Sequence, residues 1–274
     1  MAKPVTVNTA VDRPTTTIQY TPPKLKLIVI FVGGAADYDS FAGQGPTYIM
    51  GAQQRNYVRE VQKKYPNTLF EGHFYDKEKD GVVSGSKNSD VSLPVKNRVK
   101  TIYCGYDQAL KSTLEDIKIT YATNGQNPGL IVVGHSLGGW KGAELVEKIM
   151  ALEIKQGQTD LLITLDPVGE RYFSPHRWIP ALTAIPNLSE PNPVPKYWIN
   201  VHTEGWFGTS EEKLTDNAVA TAGARWTVKK ADENLAAPKI THGDARALIN
   251  LKTSKGFSAF QKLLKVTDSY LSGN

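Results

Sequence analysis

GLIVVGHSLGGW, residues 129–140, carries an aliphatic run straight into a serine flanked by glycines. No polar residue interrupts Ile131-Val132-Val133, which suits a strand buried on both faces of a parallel sheet. Downstream, Leu145, Ile149 and Leu152 recur at helical intervals, so a helix is expected directly after the turn. Between the two lies Gly134-His135-Ser136-Leu137-Gly138, a G-x-S-x-G pattern. A serine on so tight a strand-to-helix turn needs small neighbours, because side chains at Gly134 and Gly138 would collide across it. The turn would lift the serine Oγ above the sheet edge. It would also aim the Leu137 N–H, with the positive end of the helix, at a developing oxyanion. A phosphate-cradling turn would carry a lysine followed by Ser or Thr, and this one does not. Ser136 is therefore the candidate nucleophile.

Outward from the turn, strand and helix alternate. LKLIVIFVGG (25–34) reads as a buried strand, about 45–65 as a helix stopped by Pro66, and TLFEGHFYD (68–76) as a second strand. DKEKDGVVSGSKNSD reads as a surface loop, and the segment from Pro94 to about 122 as a long helix broken near Gly105. LLITLD (161–166) and YWINVHT (197–203) read as further strands, and the last 30 residues as helical, with Phe257, Phe260 and Leu264 in step. The expected class is α/β, a mostly parallel sheet with helices on both faces. Residues 1–23 read as an extended arm and 24–274 as one domain. Two inserts interrupt the alternation, at about 171–195 (proline-rich, with Trp178 and Leu182) and about 204–240 (Trp206, Phe207, Trp226). Both follow the carboxyl ends of strands, where binding loops gather, and would form a lid.

A serine hydroxyl needs a base, and the base needs an orienting group. Of the five histidines, His242 comes late, on a loop before the C-terminal helical segment, and the order Ser–acid–His selects it. His202, at the end of a strand, is the alternative base. His135 lies inside the turn and points elsewhere, His73 reads as structural, and His176 falls in the first insert. Asp166, closing LLITLD and followed by Pro167, is the candidate acid, with Glu204 past the next strand as its rival. Gly33-Gly34 after the first strand lets the backbone come close enough to supply a second oxyanion donor. Asp37 and Asp39 have no further ligands near them and read as loop-ordering residues rather than a metal pair, so no metal or cofactor is expected.

With these pieces in order, the sequence resembles the lipases and esterases of the α/β-hydrolase superfamily. The Gly134–Gly139 elbow carries most of the resemblance, and Leu165-Asp166-Pro167 is similar to the segment that places the acid in pancreatic-type lipases. The resemblance implies a Ser136–His242–Asp166 triad and an oxyanion hole from Leu137 and the Gly34-Ala35 stretch, with Ala35 as the second donor. This sequence has Gly33 where many lipases have histidine. The implied reaction is hydrolysis of lipid or phospholipid acyl esters, with transient contact to a membrane surface. A thioesterase or acyltransferase would share the triad, and a non-catalytic binding protein would keep the elbow without an aligned base. Similarity to bacterial lipase effectors implies an immunity protein as partner.

The bulk properties narrow the partners. A net charge of +5 and a pI near 9.0 come from scattered basic residues, so nucleic acid is not an expected ligand. The single cysteine, Cys104, permits no internal disulfide and reads as a buried small hydrophobe in the helical segment. The N-terminal residues lack the apolar core of a secretory signal, and no run is long enough to span a bilayer. The expectation is a cytoplasmic chain, or one exported without a cleaved signal.

Overall fold

Leu25–Gly33 forms strand β1, and its residues from Leu27 to Val32 are wholly buried. Side chains alternate along a strand, so Val29 and Phe31 reach one face of the sheet while Ile28 and Ile30 reach the other. An uninterrupted aliphatic run is what a strand covered on both faces requires. The computed structural model describes residues 23–34, 37, 48–75, 80–83, 95–125, 127–169, 190–204 and 225–272. The arm up to residue 22, most of the two inserts, Ala35 and Asp39 lie outside these residues.

β1 is the hub of an eight-stranded sheet. It pairs with β4 (Asn97–Gly105) on one side and with β5 (Gly129–His135) on the other. Outside β4 come β2 (Thr68–Tyr75) and then β3 (Asp80–Val83). Outside β5 come β6 (Leu161–Leu165), β7 (Trp198–Thr203) and β8 (Glu233–Ala237). Every pairing is parallel except β2 with β3. Helix α1 (Ile49–Lys64) covers one face with Met50, Tyr57 and Val61. On that face it is joined by α4 (Ala245–Asn250) and α5 (Ala259–Leu271), which bring Leu248, Phe260 and Leu263. Helices α2 (Leu114–Asn124) and α3 (Leu137–Ala151) cover the other face with Ile117, Trp140, Val146 and Ile149.

After β1 the chain builds one half of the sheet, then returns as β5 on β1's opposite side and builds the other half. The connections reverse between β1 and β5. In open parallel sheets, the crevice outside the carboxyl ends at such a reversal is where ligands bind. Gly34 and Ser136 follow those two ends.

The structure corrects five sequence expectations. Residues 97–105 are strand β4, not part of a helix; the helix begins only at Leu114, after a short π-helical turn at Ala109–Thr113. Val99, Thr101, Ile102 and Tyr103 suit a strand, but Lys100 in their midst disguises it. That lysine is buried, with Nζ 2.5 Å from Asp116 Oδ1 and 2.9 Å from Thr120 Oγ1. Cys104 is accordingly a buried residue of a strand, and burial pushes its thiol up to about 12, so it is no nucleophile at neutral pH. The stretch read as a loop after residue 76 contains β3, a hairpin partner of β2. The second insert, set at 204–240, contains β8, a full member of the sheet. On α3, Leu145 and Ile149 are buried, but Leu152 lies past the helix end and is exposed.

Candidate active site

The turn after β5 is held in a conformation that few side chains tolerate. Ser136 has φ 58° and ψ −130°, in the left-handed half of the map, where a residue with a Cβ costs energy. Main-chain hydrogen bonds over-determine it. Ser136 N–H donates to the Leu165 carbonyl at 2.9 Å, while its own carbonyl accepts from Gly139 N–H at 2.9 Å and Val168 N–H at 3.1 Å. The turn that carries Ser136 and the turn that carries Asp166 are thereby knitted together. Glycine is required around the turn. A Cβ on Gly134 would overlap the Gly138 carbonyl, and one on Gly138 would overlap the carbonyls of Val32 and Gly33. Because those obstacles are backbone, Gly138→Ala is expected to lower stability by at least about 1–3 kcal/mol in a urea titration.

From the elbow a line of hydrogen bonds runs into the protein. Ser136 Oγ lies 2.8 Å from His242 Nε2, and His242 Nδ1 lies 2.6 Å from Asp166 Oδ2. All three residues are buried. A carboxylate oxygen can only accept, so Nδ1 carries the proton and Nε2 of the neutral ring is free to accept one from the serine. Asp166 directly follows β6, and its backbone also takes a positive φ, 41°. Aspartate tolerates this better than most residues.

The remaining Asp166 contacts hold its charge. Thr203 donates its N–H to Oδ1 at 3.0 Å and its hydroxyl to Oδ2 at 2.9 Å. Arg225 Nε stands 3.5 Å from Oδ1, and Arg225 Nη2 donates to Thr203 Oγ1 at 2.5 Å. Burial alone would raise this carboxyl, but His242, Arg225 and the Thr203 N–H outweigh it and hold it at about 2. Asp166 is therefore ionised throughout the neutral range.

Asp116 behaves in the same way. Burial is opposed by His73, whose Nδ1 is 2.9 Å from Oδ2, and by Lys100, and the carboxyl sits at about 2. Both carboxylates bind protons less readily in the folded chain than at their ordinary value of 3.8. Their stabilisation is complete above about pH 4 and lost as pH falls through about 2. The urea midpoint is expected to fall steeply over that window, and Asp116→Asn is expected to flatten part of the slope.

The structure thus brings Ser136, His242 and Asp166 together, with Gly34 beside them. A Cβ on Gly34 would stand 2.7 Å from Ser136 Cβ, the close approach that only glycine allows. Leu137 begins α3, with its N–H in the unpaired first turn of the helix. Ala35, the other expected oxyanion donor, lies outside the described residues. The alternatives stand apart from the hydrogen-bonded line. His202 is half-buried on β7, and Glu204 is exposed, with its backbone N–H 3.5 Å from the Ala237 carbonyl. Asp244 caps α4, accepting from Ala247 N–H at 2.8 Å. Asp37 accepts from the Tyr103 hydroxyl at 2.7 Å and from Met50 N–H at 3.1 Å at the start of α1. Among the described residues no group of three metal-ligating side chains converges.

Three residues of the site escape a reading of the sequence. Thr203 is the last residue of β7, where only the neighbouring strand end could have suggested it. Arg225 follows the undescribed part of the second insert and bridges to Val168, and nothing in its local sequence marks it. His135 is the third.

A seven-stranded parallel stretch with a strained serine between the central strand and the following helix decides the architecture. This is the α/β-hydrolase fold. No family model matches the sequence, and no curated protein is matched by it. Among solved structures, a Lactobacillus plantarum WCFS1 protein provisionally named a cell surface hydrolase is similar at 11% identity and a TM-score of 0.44, over 92% of this chain and 93% of that one. The product of gene lin2722 from Listeria innocua is similar at 11% identity and a TM-score of 0.45, over 91% and 95% of the two chains. A Xanthomonas campestris pv. campestris protein, provisionally named a hydrolase of the alpha/beta superfamily, follows at 12% identity and a TM-score of 0.38, over 88% and 99%. Similarity this distant says nothing of activity, so function has to be argued from the site itself.

Proposed function

We propose that the chain is a serine hydrolase cleaving carboxylic esters by acyl transfer, with lipid or phospholipid acyl esters as its substrate class. The supporting observation is the unbroken line from Asp166 through His242 to Ser136, with distances of 2.6 and 2.8 Å. In this reading Ser136 Oγ attacks the ester carbonyl while His242 Nε2 takes the serine proton. Asp166 keeps the imidazole oriented and stabilises its cationic form without taking the proton itself. The Leu137 and Ala35 N–H groups, beside Gly34, receive the oxyanion. His242 returns the proton to the departing alcohol, and water repeats the sequence in reverse to free the acid. An apolar acyl chain is favoured by the side chains beside the nucleophile, where Leu137 and Val168 pack together against Tyr106. The substrate would be met by transient contact with a lipid surface. Among the described residues no helix is long and apolar enough to cross a membrane.

A fluorophosphonate probe tests the chemistry and a substrate panel tests the class. The wild-type chain is expected to be labelled at Ser136, and the Ser136→Ala chain to stay unlabelled. If the folded wild-type chain resisted the probe, the hydrolase reading would fail. A panel from short-chain esters to phospholipids is expected to give the higher kcat/KM on longer acyl chains. Activity confined to short water-soluble esters would remove the lipid part and keep the esterase.

A further inference from the structure

The histidine inside the elbow has a partner on the other side of the site. His135 is the last residue of β5, buried, and its Nε2 lies 2.6 Å from the main-chain carbonyl of His242. The two rings face each other obliquely, with centroids 4.9 Å apart. A carbonyl oxygen only accepts, so Nε2 of His135 carries the proton and donates. Between the end of β8 and the cap of α4, Ile240 N–H donates to the Ala237 carbonyl at 3.3 Å and Asp244 N–H to the Thr241 carbonyl at 3.1 Å. Both are local and within the same loop. The His135 bond spans 107 residues and ties the base's backbone to the strand that delivers the nucleophile.

We infer that His135 is a positioning residue, whose buried Nε2–H holds the His242 backbone so that its ring meets Ser136 and Asp166 at once. The ring of His242 is fixed at Nδ1 by Asp166 and must point Nε2 at Ser136. Those two bonds act on the ring, and the His135 bond acts on the backbone that carries it. Displacing a reacting group by about 1 Å can cost about 100-fold in rate, so a backbone tether of this kind carries catalytic weight without touching substrate. The inference rests on the serine-hydrolase reading for its kinetic consequence, though not for its geometry.

Two polar replacements separate a donor from mere bulk. His135→Gln can put an amide N–H near the place of the imidazole Nε2, whereas the shorter His135→Asn cannot reach the carbonyl. The Asn variant is expected to lose about 10- to 100-fold in kcat on a soluble ester, with KM within about twofold, and the Gln variant to recover most of it. Proton NMR supplies a readout independent of turnover. The far-downfield proton shared by His242 and Asp166 is expected to persist in wild type and His135→Gln and to broaden by exchange in His135→Asn. Equal kinetics and equal spectra in the two variants would overturn the inference, as would loss of the folded state in both, which would make His135 a packing residue. A wild-type chain unreactive toward the fluorophosphonate sinks the hydrolase reading alone, and the NMR comparison still decides the role of His135.

Discussion

Replacing His242 with alanine is expected to lower ester turnover by about 10⁴- to 10⁶-fold, the cost of removing the base from a serine triad. The expectation follows from position. His242 Nε2 is the imidazole nitrogen within hydrogen-bonding distance of Ser136 Oγ, at 2.8 Å, and its ring is buried between the nucleophile and an ionised carboxylate. Without it the serine hydroxyl keeps its proton at neutral pH and is a poor nucleophile. The fold should survive, since Asp166 retains Thr203 and Arg225 as partners. Circular dichroism on the variant should match wild type while steady-state hydrolysis disappears. His202→Ala is the control: half-buried on β7, it should leave turnover within about threefold. The reverse outcome, activity retained without His242 and lost without His202, would overturn the base assignment.

Asp166→Asn should be almost as damaging, about 10⁴-fold in kcat. The substitution preserves shape but turns an acceptor into a group that can donate to His242 Nδ1. The ring would then carry its proton on Nε2, facing Ser136, in the tautomer that cannot accept. Charge is lost as well, so the imidazolium formed during attack has no counter-ion, while Arg225 is left facing a neutral amide. Glu204→Gln should do almost nothing, because that side chain is exposed and outside the bonded line. Measuring kcat and KM for both variants on one soluble ester separates the two carboxylates. A larger loss in the Glu204 variant would exchange their roles.

Much of this architecture is legible in the sequence because its central strands are covered on both faces. β1, β5 and β6 read as strands since an unbroken aliphatic run has few other places to go. β4 does not, because a lysine stands in its middle, and only the fold brings Asp116 and Thr120 to that lysine. β8 fails for the opposite reason: Glu-Asn-Leu-Ala-Ala has little strand preference, and its place is fixed by pairing with β7. In the site, Ser136 is visible through the glycines that its turn demands, and Asp166 and His242 through chain order. The residues that act on them are not. Thr203, Arg225 and His135 each touch a partner distant in sequence, and no local pattern records such a contact. His135 is the instructive case, since its neighbour drew attention to the turn while its own ring served a loop 107 residues away.

The order in which the chain supplies its parts also matters during synthesis. The strained serine turn can form once β5, α3 and β6 are present, but the base arrives only beyond β8, at the far edge of the sheet. Domains emerge from the ribosome amino terminus first. On the serine-hydrolase reading, a partly made chain therefore carries a serine with no proton acceptor and does not attack esters. On that reading competence comes only once the loop after β8 has brought His242 to Ser136, so reactivity toward a fluorophosphonate would time the completion of folding on a nascent chain.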